Sequence, residues 1–196
     1  MISHKHKCIF VHIPRCAGTS MEYALVKQDW WSIDRETKHI LASTAKKLYG
    51  EHWDKYFKFS FVRNPWDRMV SLAKFPLMSG ISISKGSINI SSYLKKFDNI
   101  EIDPRSKSKK DRFDPVKGAV YLNILNEDLD FIGKFENLQE DFDTVCDKIE
   151  VPQRVLPHRE KLKHKHYIEY YDDETRELVA EKYKKDIEMF GYKFGH

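Results

Sequence analysis

The apolar positions along the chain fall into two kinds of run. Cys8-Ile9-Phe10-Val11-His12-Ile13 and Phe57-Lys58-Phe59-Ser60-Phe61-Val62 are short and rich in β-branched or aromatic residues, and a proline-containing turn follows each. Such runs predict buried strands, and Phe131-Ile132-Gly133-Lys134-Phe135 is a third candidate. The segments after them carry helical signals. Met21-Glu22-Tyr23-Ala24-Leu25 follows the first, and Asn64-Pro65 supplies an N-cap and a first-turn proline for a helix through Trp66, Met69, Val70 and Leu72. After the third, Leu138, Phe142, Val145 and Ile149 recur on one helical face that packs inward. A linker carrying His39 leads to a short helix capped by Ser43 or Thr44 and stopped at Gly50. A single last helix is predicted from about Asp172-Asp173 to Gly191, with Val179, Tyr183, Ile187 and Phe190 along one stripe.

Strands alternating with helices predict an α/β fold, a central parallel sheet flanked by helices in three layers. On such sheets ligands sit at the carboxyl ends of the strands, so both strand-to-helix turns belong at the functional edge. At 196 residues one domain spanning 1–196 is expected. Between about Met78 and Lys117 the composition turns to Ser, Gly, Lys and Asp, and Arg105, Lys107, Lys109, Lys110 and Arg112 lie close together. That stretch is expected to be a partly mobile basic insertion.

Composition narrows the classes. The 34 basic and 30 acidic residues leave a net charge of +4, so no global field argues for nucleic acid. Cys8, Cys16 and Cys146 are odd in number, with no disulfide-like or zinc-like spacing, and free thiols in a reducing compartment are expected. No run approaches the ~20 apolar residues of a membrane span. A cytoplasmic protein is therefore the expectation, and a chain trimmed from a longer membrane-anchored one would look the same.

The first turn, Pro14-Arg15-Cys16-Ala17-Gly18-Thr19-Ser20, combines small residues, two hydroxyls and a cation at a helix start. Unpaired N–H groups and the helix dipole favour an anion there. A tight turn with an exposed arginine is the bland alternative, and the two are equally weighted from this turn alone. The second turn places Arg63 at the end of a buried strand, just before another helix start, with Ser71 about two turns on. Arg63 is suited to grip a phosphate bidentately or to pair with Asp67.

Taken together, Val11-His12-Ile13-Pro14-Arg15-Cys16-Ala17-Gly18-Thr19-Ser20 resembles the 5′-phosphosulfate loop of sulfotransferases that use 3′-phosphoadenosine-5′-phosphosulfate (PAPS). Phe59-Ser60-Phe61-Val62-Arg63-Asn64-Pro65-Trp66-Asp67-Arg68-Met69-Val70-Ser71 resembles their 3′-phosphate motif. The likeness is to the compact carbohydrate-type, family 2-like branch. It extends to Lys134-Phe135-Glu136-Asn137-Leu138, Leu156-Pro157-His158 and Phe190-Gly191-Tyr192.

The resemblance implies a P-loop-like fold and transfer of a sulfuryl group from PAPS to the hydroxyl of a glycan or small-molecule natural product, leaving 3′-phosphoadenosine-5′-phosphate. It implies that Arg15, Cys16, Ala17, Gly18, Thr19 and Ser20 hold the 5′ end, and Arg63 and Ser71 the 3′-phosphate. His39, in Lys38-His39-Ile40-Leu41-Ala42, stands where the branch has a general base, and Arg15 would stabilise the leaving phosphate. Arg159, Lys161 and Lys163 fall in the segment that closes over the nucleotide in the family. Two departures stand out: Arg15 replaces the usual lysine, and Glu160 and Leu162 stand where relatives carry Asn and Ser. No metal is expected, since no metal-ligand spacing is present.

Two rival readings remain at the level of sequence. A P-loop-like kinase using ATP would share strand, loop and helix, but the Walker lysine and a clear acidic magnesium partner are missing. A catalytically silent module that binds PAPS or a polyanion would follow if Arg15 had abolished turnover.

Overall fold

The structure is a computed structural model, and it describes residues 1–74, 90–95, 119–157 and 165–196. The strands are β1 (Ile2–Ser3), β2 (Cys8–Val11), β3 (Phe57–Val62) and β4 (Phe131–Lys134). The helices are α1 (Gly18–Val26), α2 (Trp30–Ile33), α3 (Ala42–Tyr49), α4 (Glu51–Lys55), α5 (Pro65–Lys74), α6 (Ile90–Lys95), α7 (Tyr121–Ile124), α8 (Leu138–Lys148), α9 (Asp173–Lys182) and α10 (Lys184–Phe190). Short 3₁₀ turns at Arg35–Thr37, Phe135–Asn137 and Tyr167–Tyr170 join some of them.

The four strands form one sheet in the order β1-β2-β3-β4. β2, β3 and β4 run parallel, and β1 is an antiparallel edge strand. This is the α/β architecture that the alternation of runs predicts, with β1 added; a two-residue strand gives no periodic signal. In register, Val11 faces Ser60 and Val62 faces Lys134, and Ser60 Oγ donates to the Val11 carbonyl at 2.7 Å. Parallel pairing brings the turns after β2 and β3 to the same edge, side by side.

The core divides into two clusters. One gathers the strands with α1, α3, α7 and α8, around residues such as Phe10, Phe59, Phe61, Tyr121 and Phe142. The other gathers α5, α6 and α9 around Met69, Val70, Leu72, Ile90 and Val179. The inward face of α8 holds as expected, with Phe142 and Val145 fully buried and Leu138 and Ile149 at its margin. Within the stretch expected as an insertion, α6 is helical and buries Ile90 and Leu94; the cluster from Arg105 to Arg112 lies outside the described residues.

Two predicted elements differ. The helix expected to start at Ser43 or Thr44 starts at Ala42, and Asn126 supplies the side-chain cap from another segment: its Oδ1 accepts from Ser43 N–H at 2.9 Å, and its Nδ2 donates to Ser43 Oγ. The single last helix is two, α9 and α10, separated at Tyr183. The break accompanies a tertiary demand on Asp186, whose fully buried carboxylate accepts from the N–H groups of Tyr121 and Leu122 at the start of α7. Buried helix-end donors must find an acceptor, and here Asp186 provides it just beyond the break. Among the described residues no helix is long and apolar enough to cross a membrane.

Candidate functional site

The turn after β2 is wound tightly. Arg15 and Ala17 have φ of 69° and 61°, in the left-handed region that costs a residue with a Cβ. The Cys16 N–H donates to the Ile13 carbonyl, and those of Ser20 and Met21 to the Ala17 carbonyl. That leaves the first-turn N–H groups of Gly18 and Thr19, which the helix itself does not satisfy, pointing out of the amino end of α1. Gly18 is required for a steric reason: a Cβ there would lie 1.9 Å from His12 Nε2. The carboxyl end of β2 thus packs an imidazole directly beneath the turn.

Buried Arg68 anchors this turn from α5. Its Nε donates to the Pro14 carbonyl at 3.1 Å and its Nη1 to the Ala119 carbonyl at 3.0 Å, and its guanidinium lies 4.9 Å from the Tyr121 ring centroid. The Cys16 side chain is buried and directed at the Pro14 carbonyl. Burial pushes its thiol up to about 11, so it is not a nucleophile at neutral pH.

The second turn is built around Arg63 and Asn64. Asn64 caps α5 by accepting from Trp66 N–H at 3.1 Å, and its Nδ2 donates to the carbonyls of Lys193 and His196. Arg63 is nearly buried. Its Nε and Nη2 grip the Asp67 carboxylate at 2.8 and 2.7 Å, its guanidinium carbon lies 4.0 Å from the Phe135 ring centroid, and Nη1 donates to the Arg15 carbonyl at 3.2 Å. Arg15 Nε in turn donates to Ser71 Oγ at 2.9 Å. The two turns therefore meet in one cationic locus: Arg15 reaches a hydroxyl of the second motif, and Arg63 reaches a carbonyl of the first.

Beside that locus lies a second, fully enclosed cluster. Glu22 on α1 accepts from His12 Nδ1 at 2.7 Å, from Lys38 Nζ at 3.0 Å and from Trp30 N–H at 3.0 Å. Lys38 is buried and also pairs with Asp29. Burial alone would raise the Glu22 carboxyl, but the hydrogen bond and charge from His12, with Lys38 and the Trp30 amide, outweigh it and hold it down to about 2. Burial lowers His12 more than Glu22 raises it. The ring presents its Nδ1 proton to the carboxylate. The His39 ring stands edge-to-face with His12, centroids 4.6 Å apart, and Trp31 closes over it at 5.3 Å.

The profile of the sulfotransferase family matches residues 1–75 and 89–193, which include both turns, His39 and the closing segment. The chain belongs to the sulfotransferase family. No curated protein and no solved structure matches it. The match carries sulfuryl transfer as a general activity, and with it a transferase whose acceptor bears a hydroxyl group.

In this sulfotransferase-family chain, the structure brings Arg15, Arg63 and Ser71 into contact and sets Ala17, Gly18, Thr19 and Ser20 around the amino end of α1. His39 is buried against His12. Arg159, Lys161 and Lys163 lie outside the described residues. The pairing of Arg63 with Asp67, set against phosphate binding in the sequence, is present, and it aims the guanidinium toward the first turn. Reading the sequence missed Glu22, Lys38 and Arg68. The one available signal for Glu22 was a lone acid in a helix otherwise made of Met21, Tyr23, Ala24 and Leu25, which also fits a surface position.

Proposed function

We propose that the chain, as one domain over 1–196, moves a sulfuryl group from PAPS to an acceptor hydroxyl, with a glycan or a small-molecule natural product as the acceptor class. The observation that carries this reading is the junction of the two turns through Arg15, Ser71 and Arg63. Two phosphate-binding motifs in contact suit a nucleotide that is anionic at both its 5′ and 3′ ends. The residues fit such a group: Gly18 presents backbone without a side chain, the α1 amino end supplies N–H donors and a positive dipole end, and two guanidinium groups supply charge.

When bound, PAPS supplies an activated sulfuryl group on its 5′-phosphate. The Gly18 and Thr19 N–H groups and Arg15 stabilise charge growing on that phosphate, a form of preorganised electrostatic catalysis. Arg63 and Ser71 fix the 3′-phosphate and so the line of attack. His39 takes the proton from the acceptor hydroxyl at its ring nitrogen. Its neighbour His12 touches Gly18, which keeps the base close to the loop that binds the transferable group. Trp31 stands edge-to-face with the ring and covers one side of it.

The test is a calorimetric titration with 3′-phosphoadenosine-5′-phosphate, with AMP and magnesium-ATP as controls. Tight binding that requires the 3′-phosphate is expected; preference for magnesium-ATP would sink the reading. With PAPS and an acceptor that turns over, His39→Gln should lower kcat by about a hundredfold or more. Full turnover with an unchanged pH profile would remove His39 as the base. Binding of the nucleotide without transfer to any hydroxyl would mark a silent binding module.

A further inference from the structure

The Glu22 cluster does more than close the core. It joins four segments at one carboxylate: the end of β2 through His12, α1 through Glu22 itself, the start of α2 through the Trp30 amide, and the residue before His39 through Lys38. Glu22 and Lys38 are both almost fully buried, at 0 % and 2 % exposure, and a buried pair of this kind is seldom kept for stability alone, since an apolar pair often serves as well. What sits beside it is the pair of rings, His12 and His39.

We infer that Glu22 is a positioning residue for the transfer, its carboxylate linking His12 and Lys38 so that two opposite buried charges stand beside the His39 ring and set its place and basicity. This rests on the reading of His39 as the base. The groups around the ring pair include Glu22 from α1, Asp29 at the start of α2, Trp31 with Arg35 over its ring, Lys38 from the adjoining residue, and the Met1 ammonium acting on His12. Lys38 meets both Glu22 and Asp29 directly, and Glu22 is the one that also holds His12.

Removing one of two opposed charges shifts a nearby histidine in a direction set by the charge that remains. Without Glu22, Lys38 disfavours the protonated ring; without Lys38, Glu22 and Asp29 favour it. A structural role predicts something different: either substitution would loosen the pocket and move the His39 midpoint in the same direction.

The experiment is a proton–carbon NMR titration of the histidine rings in the full chain, with the His39 signal identified by its loss in His39→Gln. Glu22→Gln should move the His39 midpoint to lower pH and Lys38→Met to higher pH, each by about 0.5 pH unit or more, a threefold change in proton affinity. The double variant Glu22→Gln/Lys38→Met should lie near the wild type and fold even where Glu22→Gln alone does not; the Lys38→Met shift with its reversal then decides. Equal midpoints in the folded variants, or shifts of the same sign in both single variants, would overturn the inference. If His39→Gln instead keeps full turnover, the base reading fails, while the titration still reports whether the charges are coupled.

Discussion

Two charged clusters stand side by side at the carboxyl edge of the sheet, and they are built in different ways. In the cluster of His12, Glu22, Lys38 and Asp29, donors and acceptors meet inside the protein, and the cationic and acidic groups answer one another. In the cluster of Arg15, Arg63 and Ser71, two guanidinium groups from different turns converge: Arg63 pairs with Asp67 and donates to the Arg15 carbonyl, and Arg15 donates to the Ser71 hydroxyl. The first cluster is self-sufficient and holds geometry. The second ties two separate turns together, and it is the one read above as the nucleotide site. Proximity in the fold thus does not imply a shared role: on the reading proposed above, one cluster holds the base in place and the other receives the nucleotide.

The sharpest way to break this contrast is Glu22→Ala. It leaves the Lys38 ammonium buried beside Asp29 alone and the His12 donor unpaired, and about 3–5 kcal/mol of stability should be lost in urea unfolding. The same cluster gives a pH signature. The Glu22 carboxyl is held below its ordinary value, so its stabilising contribution is complete above about pH 4.5 and disappears as pH falls toward 2. His12, also lowered, adds a loss that begins as pH falls through about 6.5. Stability should therefore decline on acidification in the wild type and more weakly in Glu22→Gln/Lys38→Met.

Arg63→Ala acts on the other cluster. Affinity for 3′-phosphoadenosine-5′-phosphate should fall about 30–100-fold by calorimetry, in line with ~2–3 kcal/mol for charge-assisted hydrogen bonds, with little change in affinity for AMP. Ser71→Ala should cost roughly fivefold in the same titration, about 1 kcal/mol for one hydroxyl. If Arg63→Ala cost stability and not affinity, the cationic cluster would be scaffold too.

The two clusters also differ in how far the sequence reveals them. Arg15, Arg63 and Ser71 lie in local strand-turn-helix patterns, where a few neighbouring residues define the chemistry, and the structure then joins them across 48 and 56 positions. The sheet was legible for the same reason, since each parallel strand is a compact apolar run. Glu22 and Lys38 carry no local sign of burial, because what makes them internal is packing between segments 16 residues apart. The break at Tyr183 was hidden likewise: Val179, Tyr183 and Ile187 keep a helical spacing across it, and the contacts that tie Asp186 to α7 come from 64 and 65 positions away.

The clamp on Asn64 bears on the order of assembly. Its side-chain amide holds carbonyls 129 and 132 residues further along, contacts that close late because loop entropy must be met before they form. During synthesis the turn that carries Arg63 leaves the ribosome long before residue 193 exists, so that turn acquires its final shape only once the segment from Lys193 to His196 has been made. Chains that stop short of that segment would lack the clamp on the second turn.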